Sequence, residues 1–103
     1  MKIIWSLLAS NAFADIRDSI FARFGYKAEQ DFISAVDEFI KQVSTFPGCG
    51  QQELELAEDG SVRSIQVHKL TKIIYFVEDD ILHIADVWAT RQDPANLTAR
   101  WEK

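Results

Sequence analysis

The sequence predicts an α+β fold, in which an N-terminal strand and an antiparallel helix hairpin pack on a three- to four-stranded antiparallel sheet. Residues 7–24 and 27–45 show two consecutive stretches of helical apolar periodicity. Residues 62–88 hold three short apolar segments rich in β-branched and aromatic residues. Two helices and one sheet cannot bury their apolar sides separately, so the helices are expected to cover one face of the sheet.

Length and composition fit one domain over residues 1–103, with a core of ordinary size at 48% hydrophobic residues. The single cysteine, Cys49, lies in a turn sequence and cannot form an internal disulfide. This favours a reducing compartment, and we expect a cytoplasmic protein. The chain contains no window of about 18 apolar residues, so no membrane-spanning helix is expected.

The net charge of −5 belongs to the first part of the chain. Residues 1–60 hold five Lys/Arg and ten Asp/Glu, whereas residues 61–103 hold six of each. An acidic chain is poorly suited to non-specific attraction to phosphate backbones. Binding of nucleic acid would therefore depend on a local group of basic residues in the second part.

The N-terminal strand is predicted at Lys2–Trp5, which is short, apolar and β-branched. Ser6 suits the N-cap of the helix that follows, and Gly25 suits its C-terminal end. The buried face of this first helix is expected to consist of Ala9, Phe13, Ile16, Ile20 and Phe24.

The second helix is expected to begin near Tyr26 or Lys27 and to end before Pro47, which restricts the residue that precedes it. The short connection makes the two helices an antiparallel hairpin. The segment 51–60 is acidic, and alternation of Leu54 and Leu56 with glutamates allows a short edge strand there. The apolar stripe of the second helix is Ala28, Phe32, Ala35, Val36, Phe39, Ile40 and Val43.

Three strands are predicted at Val62–His68, Thr71–Glu78 and Ile81–Trp88. Asp79-Asp80 has the length of a two-residue hairpin loop, although neither residue is the preferred glycine. This loop would pair Val77 with Leu82, Phe76 with His83 and Tyr75 with Ile84.

The pairing register of the first two of these strands is less certain than that of the Asp79-Asp80 hairpin. A two-residue turn would place Arg63, Ile65 and Val67 on the face of Ile74 and Phe76, and a three-residue turn at Lys69-Leu70-Thr71 would place them on the other face. We favour the three-residue turn, because it separates an apolar face from a mixed one. Two helices cannot cover both faces, so the mixed face is expected to bind a partner. The predicted partner-binding residues are His68, Ile74, Phe76, Val87 and Trp88.

Several motifs resemble the RelE/ParE superfamily of bacterial toxins from type II toxin–antitoxin systems, also known as plasmid stabilisation proteins. Each motif is weak alone, and their order and spacing carry the resemblance over nearly the whole chain. The motifs are Trp5-Ser6-x-x-Ala9, Phe46-Pro47-Gly48-x-Gly50, Arg63 with Val67, Lys72-Ile73-Ile74-Tyr75-x-Val77, and Asp86-Val87-Trp88-Ala89-Thr90-Arg91-Gln92-Asp93-Pro94 with Leu97.

The resemblance implies a toxin that a cognate antitoxin holds inactive by covering the helix hairpin or the sheet. It also implies two mechanisms. RelE-like members cut mRNA on the ribosome, and ParE-like members inhibit DNA gyrase without a hydrolytic site. RNA cleavage needs a base, an acid and cations that stabilise the phosphorane.

For a nuclease, the resemblance points to Arg63 and Arg91 as catalytic residues, and His83 would be the substitute base. Lys69 and Lys72 could bind phosphate beside them. His68 and His83 could act as bases and would share a face in the favoured register. Arg63 would then point to the core side, away from Lys72. The tail after Trp88 lacks the Tyr or His that RelE-like nucleases use. Two histidines are too few to predict a metal site, and no cofactor is expected.

The acidic charge and the incomplete nuclease set favour a ParE-like toxin that acts by protein–protein contact, with gyrase as the family-implied target. The alternatives are a RelE-like, ribosome-dependent mRNA endoribonuclease and a non-toxic homologue that serves as a binding module. The expected partners are therefore an antitoxin and either gyrase or the ribosome with its mRNA.

Overall fold

The computed structural model describes residues 1–68 and 71–89. It confirms the α+β class, because a helix hairpin packs on one face of a sheet. The elements are β1 (Lys2–Trp5), α1 (Leu7–Phe24), α2 (Tyr26–Thr45), β2 (Gln51–Gln52), β3 (Arg63–Val67), β4 (Thr71–Glu78) and β5 (Ile81–Ala89).

The sheet has five strands in the order β1-β5-β4-β3-β2, and it is mixed rather than purely antiparallel. β1 pairs in parallel with β5, with Lys2 opposite Ile81 and Trp5 opposite Ile84. The helix hairpin carries the chain from β1 at one edge to β2 at the other. The long connection that a parallel pair requires therefore runs from β1 through the hairpin and three further strands to β5. The edge strand after the hairpin is Gln51–Gln52, and the short strand that the alternation at Leu54 and Leu56 would allow does not form.

Ser6 caps α1 as predicted, because its side-chain oxygen accepts from the backbone N–H of Ala9 at 2.9 Å. The same hydroxyl donates to the backbone carbonyl of Ala85 at 2.8 Å, which joins the start of the helix to β5. Gly25 separates the two helices at a φ of +91°, a conformation that favours glycine.

The main core lies between the helix hairpin and one face of the sheet, which we call the helix-side face. α2 contributes most of the buried helical surface, whereas Ala9 is the fully buried residue of α1. The buried core residues are Ala9, Phe32, Val36, Phe39, Val43, Val67, Ile73, Tyr75, Leu82, Ile84 and Val87.

The β4–β5 hairpin has the predicted pairs, Val77 with Leu82, Phe76 with His83 and Tyr75 with Ile84. Asp79 and Asp80 form its loop with φ values of 53° and 60°. Two successive positive φ values are characteristic of a type I′ turn, whose twist matches that of the flanking strands. Aspartate tolerates this conformation better than most residues, which explains how the turn forms without glycine.

β5 contains a bulge that the sequence did not predict. Tyr75 pairs with Ile84 and the preceding Ile74 pairs with Asp86, so Ala85 is an extra residue in β5. A bulge shifts the alternation of side chains beyond it. Val87 therefore joins the helix-side core opposite Ile73, and Trp88 lies on the far face opposite Lys72.

The first hairpin has the favoured face assignment, since Ile65 pairs with Ile73 and Arg63 pairs with Tyr75. Val67 pairs with Thr71, so the three intervening residues are 68–70 rather than the predicted 69–71. The observed register therefore differs from the predicted one by two residues. Because side chains alternate with a period of two, each side chain stays on its predicted face.

Candidate functional site

Two polar side chains on the helix-side face hold the loop Pro47–Gly50, which follows α2. The Tyr75 hydroxyl donates to the Pro47 carbonyl and accepts from the Gly50 N–H, each at 3.0 Å. Arg63 Nη1 donates to the carbonyls of Gly48 and Gly50 at 3.2 and 2.7 Å. Arg63 and Tyr75 are cross-strand neighbours, so β3 and β4 present them to the loop together. This arrangement gives Arg63 a structural role at the base of the loop.

Tyr75 is almost fully buried, and burial raises its pKa to about 12. The hydrogen bond from the Gly50 N–H opposes the rise in pKa, and the neighbouring Cys49 thiol adds to it. Cys49 itself is exposed and is not in a disulfide. At neutral pH Tyr75 is therefore a protonated hydroxyl, able to donate to Pro47 as the structure requires.

The free energy of unfolding is expected to fall as pH rises from about 10 towards about 12, because Tyr75 holds its proton more tightly in the folded chain. The contribution is complete below the unfolded pKa near 10 and is lost as pH passes the folded pKa. Urea unfolding across this range should show the decrease in wild type and a weaker one in Tyr75→Phe. Tyr26→Phe, at an exposed tyrosine, is the control and should behave as wild type. Equal decreases in both variants would contradict the assignment.

The opposite face of the sheet, which we call the far face, is partly covered by the chain itself. Leu56, Ala57 and Val62, from the segment between β2 and β3, pack against Ile74 and Trp88. The expectation that this chain has nothing to cover the far face is therefore wrong over this half. The apolar side chains of this acidic segment cover a second, smaller core.

Glu53 anchors this covering segment to the sheet. Its carboxylate accepts from the Ser64 hydroxyl at 2.6 Å and lies 3.3 Å from the Lys72 ammonium. Both side chains of the ion pair are largely buried. Lys72, predicted to bind phosphate, is thus neutralised by a carboxylate of its own chain. Sequence reasoning missed Glu53, because nothing in the acidic segment distinguishes the glutamate that forms an ion pair from its exposed neighbours.

The two histidines lie on opposite faces of the sheet, so the prediction that they share a face is wrong. His83 stacks on Phe76 on the far face, with ring centroids 4.6 Å apart and an interplanar angle of 9°. His68 contacts Phe32 of α2 edge-on at 5.8 Å. β3 ends at Val67, and His68 leaves the strand with a φ of 26°, which breaks the alternation that the prediction assumed.

A cleft of about 470 Å³ lies beside His68, between the tip of the helix hairpin and the ends of β4 and β5. Exposed aromatic side chains surround the tip, with Phe24 and Tyr26 each 67% exposed and Phe21 52% exposed. The sequence placed Phe24 in the buried stripe of α1, and this is wrong. The lining residues are Ile16, Ser19, Ile20, Arg23, Phe24, Ala28, Asp31, His68, Thr71 and Ala89.

The residues predicted to bind a partner are mostly not at the surface. Ile74, Val87 and Trp88 are buried, the first and last under the covering segment and Val87 in the main core. His68 lies on the helix side, which leaves Phe76 as the half-buried far-face residue of the predicted set. The bulge and the covering segment are the physical reasons for these differences.

The predicted catalytic residues do not meet in the described part of the chain. Arg63 points to the helix-side face and His83 to the far face, one on each side of the sheet. Arg91 and Lys69 lie outside the described residues. Within residues 1–68 and 71–89, no three or more His, Cys, Asp or Glu side chains form a group that could hold a metal ion. No helix in these ranges is long and apolar enough to cross a membrane.

Comparisons with known proteins agree with the fold. A family model described as the ParE toxin of type II toxin–antitoxin system, parDE, matches residues 3–94. Curated proteins yielded no match. A solved structure described as "Chromosomal ParDE TA system from P. aeruginosa" is similar with a TM-score of 0.67 and 16% identity, covering 86% of this chain and 95% of that chain. At 16% identity, this likeness shows that the two chains share a fold.

Proposed function

Because this chain belongs to the ParE toxin family of type II toxin–antitoxin systems, we propose that it is a toxin that inhibits its target by protein–protein contact. DNA gyrase is the target that the family implies, and a cognate antitoxin is the partner that keeps the toxin inactive. The toxin performs no hydrolytic step of its own.

One observation carries this proposal: within residues 1–68 and 71–89, the polar side chains predicted to serve RNA cleavage are engaged in contacts with this chain itself. Arg63 donates to two backbone carbonyls, and Lys72 is paired with Glu53. His83 stacks on Phe76 on the opposite side of the sheet from Arg63. A base and a cation on opposite faces cannot act on one phosphodiester, since both must lie within hydrogen-bond distance of the reacting atoms.

Charge supports the same proposal. A net charge of −5 disfavours approach to the dense phosphate of ribosomal RNA. Most basic side chains of the two helices are also in ion pairs with acidic neighbours, as in Arg17 with Glu29, Lys27 with Asp31 and Lys41 with Glu38. An acidic toxin is better suited to a protein target that carries positive charge.

Two parallel assays test the proposal. Purified toxin is expected to inhibit DNA supercoiling by gyrase, and its induced expression is expected to cause double-strand breaks and an SOS response. Addition of the co-expressed antitoxin should reverse both effects. Rapid loss of translation with cleaved mRNA, and intact gyrase activity, would instead identify a ribosome-dependent endoribonuclease.

His83→Ala is the informative variant in these assays. A nuclease that uses His83 as its base would lose mRNA cleavage on this substitution, whereas a toxin without a hydrolytic step has no cleavage to lose. The absence of any growth effect from the wild-type chain would contradict both toxin mechanisms and would leave the non-toxic binding module.

A further inference from the structure

One row of the far face is left open by the described residues. The helices cover the other face, and the segment with Leu56, Ala57 and Val62 covers the half around Ile74 and Trp88. Beyond that half, Ile4 of β1, His83 of β5 and Phe76 of β4 lie side by side in direct register. We call these three residues the open strip.

The open strip combines an aliphatic side chain with two stacked aromatic rings. Ile4 is 39% exposed, and His83 and Phe76 are half-buried. The rings of His83 and Phe76 stack nearly parallel, so they form one rigid aromatic unit across two strands. Such a unit offers contact area with little loss of side-chain entropy on binding, which is a property of residues that dominate interfaces.

Carboxylates lie at one end of this strip. Glu78 is two residues beyond Phe76 on β4 and therefore projects from the same face. Asp79 and Asp80 follow in the turn, and all three acids are exposed. Lys2 of β1 and Glu78 of β4 both lie opposite Ile81 of β5. At the usual spacing between strands, Lys2 and Glu78 are therefore about 10 Å apart. The β4 side of the strip is thus negatively charged.

We propose that the open strip and the carboxylates of Glu78, Asp79 and Asp80 form the surface that contacts the target, and that the target contributes an arginine-bearing segment. This inference rests on the proposed function. The guanidinium group both stacks on aromatic rings and binds carboxylates through two parallel hydrogen bonds, so one arginine satisfies both features of the surface. An enzyme that holds DNA presents such arginines to phosphates. The carboxylates of the toxin would compete with the DNA phosphates for these arginines.

A charge-neutral hairpin tests this proposal. The triple variant Glu78→Gln/Asp79→Asn/Asp80→Asn removes the three charges, and asparagine is among the residues that adopt the positive φ values of the turn. The matched control is Asp15→Asn/Asp18→Asn/Asp37→Asn, which removes three charges from exposed positions on the helices. Both variants carry the same net charge, so a general effect of charge cannot separate them.

Each protein is assayed for inhibition of gyrase supercoiling at low and high salt, and for binding of its co-expressed antitoxin. The hairpin variant is expected to need about tenfold more protein for half-inhibition at low salt, with a weaker salt dependence, because its ion pairs with the target are lost. The helix control should inhibit as wild type does, and both variants should bind the antitoxin.

The outcomes separate this inference from the proposed function. If the wild-type chain does not inhibit gyrase, the proposed function fails and this inference fails with it. If the wild type inhibits and the hairpin variant is equally potent, only the assignment of the surface is wrong. Loss of antitoxin binding with full inhibition would show that the antitoxin occupies the strip, which also overturns the assignment. Ile4→Ala and His83→Ala, which keep the hairpin charges, should weaken inhibition if the strip takes part.

Discussion

Replacing Phe32 by alanine is expected to lower the free energy of unfolding by about 3–5 kcal/mol. Phe32 is completely buried where α1, α2 and the sheet meet. Its ring stacks on Phe13 of α1 at 5.4 Å and contacts His68 at the end of β3. Truncation would leave a cavity lined by α1, α2 and the sheet, and the surrounding helices could only partly close it.

Urea unfolding monitored by circular dichroism would measure this loss. Phe24→Ala is the matched control, because Phe24 belongs to the same helix hairpin and is 67% exposed. Its substitution should change the free energy of unfolding by no more than about 0.5 kcal/mol. A similar cost at both positions would mean that the hairpin packs on the sheet differently from the arrangement described above.

Replacing Gly50 by alanine is expected to destabilise the chain by about 2–3 kcal/mol. A Cβ atom at this position would lie 2.5 Å from the Tyr75 hydroxyl oxygen and 2.8 Å from the Ser64 carbonyl oxygen. The first contact requires Tyr75 to move, which breaks its hydrogen bonds to Gly50 and Pro47. The second is with the backbone of β3, which cannot move without disturbing the sheet.

Gly48 provides the control, since a Cβ atom there would meet nothing within 4 Å. Gly48→Ala should be close to neutral, within about 0.5 kcal/mol, in the same unfolding experiment. The two glycines belong to the same loop and the substitutions have the same chemistry. Equal stabilities of the two variants would therefore rule out the packing of Tyr75 against Gly50.

Local sequence patterns were sufficient for the elements and for much of their pairing. The cap at Ser6, the break at Gly25, the apolar stripe of α2 and the Asp79-Asp80 hairpin all depend on residues a few positions apart. The faces of β3 and β4 followed from the separation of apolar and mixed side chains, although the register itself differs by two residues from the favoured one. The family resemblance, carried by short motifs in order, is confirmed by the match over residues 3–94.

The location of the candidate site depended on contacts between residues far apart in sequence. Alternation along a strand predicts which side chains share a face, but only until a bulge or a turn interrupts it. The extra residue Ala85 moved Val87 into the core, and the positive φ of His68 placed that residue against Phe32. No local sequence pattern predicts the bulge or the positive φ, because each is stabilised by contacts with a neighbouring strand or helix.

The tertiary structure also decided which charges are available. Composition identifies an acidic chain, with 16 Asp/Glu against 11 Lys/Arg, and this alone disfavours an RNA-binding nuclease. Glu53 reaches Lys72 across 19 positions of sequence, and Arg63 reaches the loop after α2 across 13. The first pairing exists because the covering segment packs on the far face, and the second because the loop after α2 lies against the helix-side face. Local periodicity is a property of the chain, whereas the pairing of a charge is a property of the packed sheet.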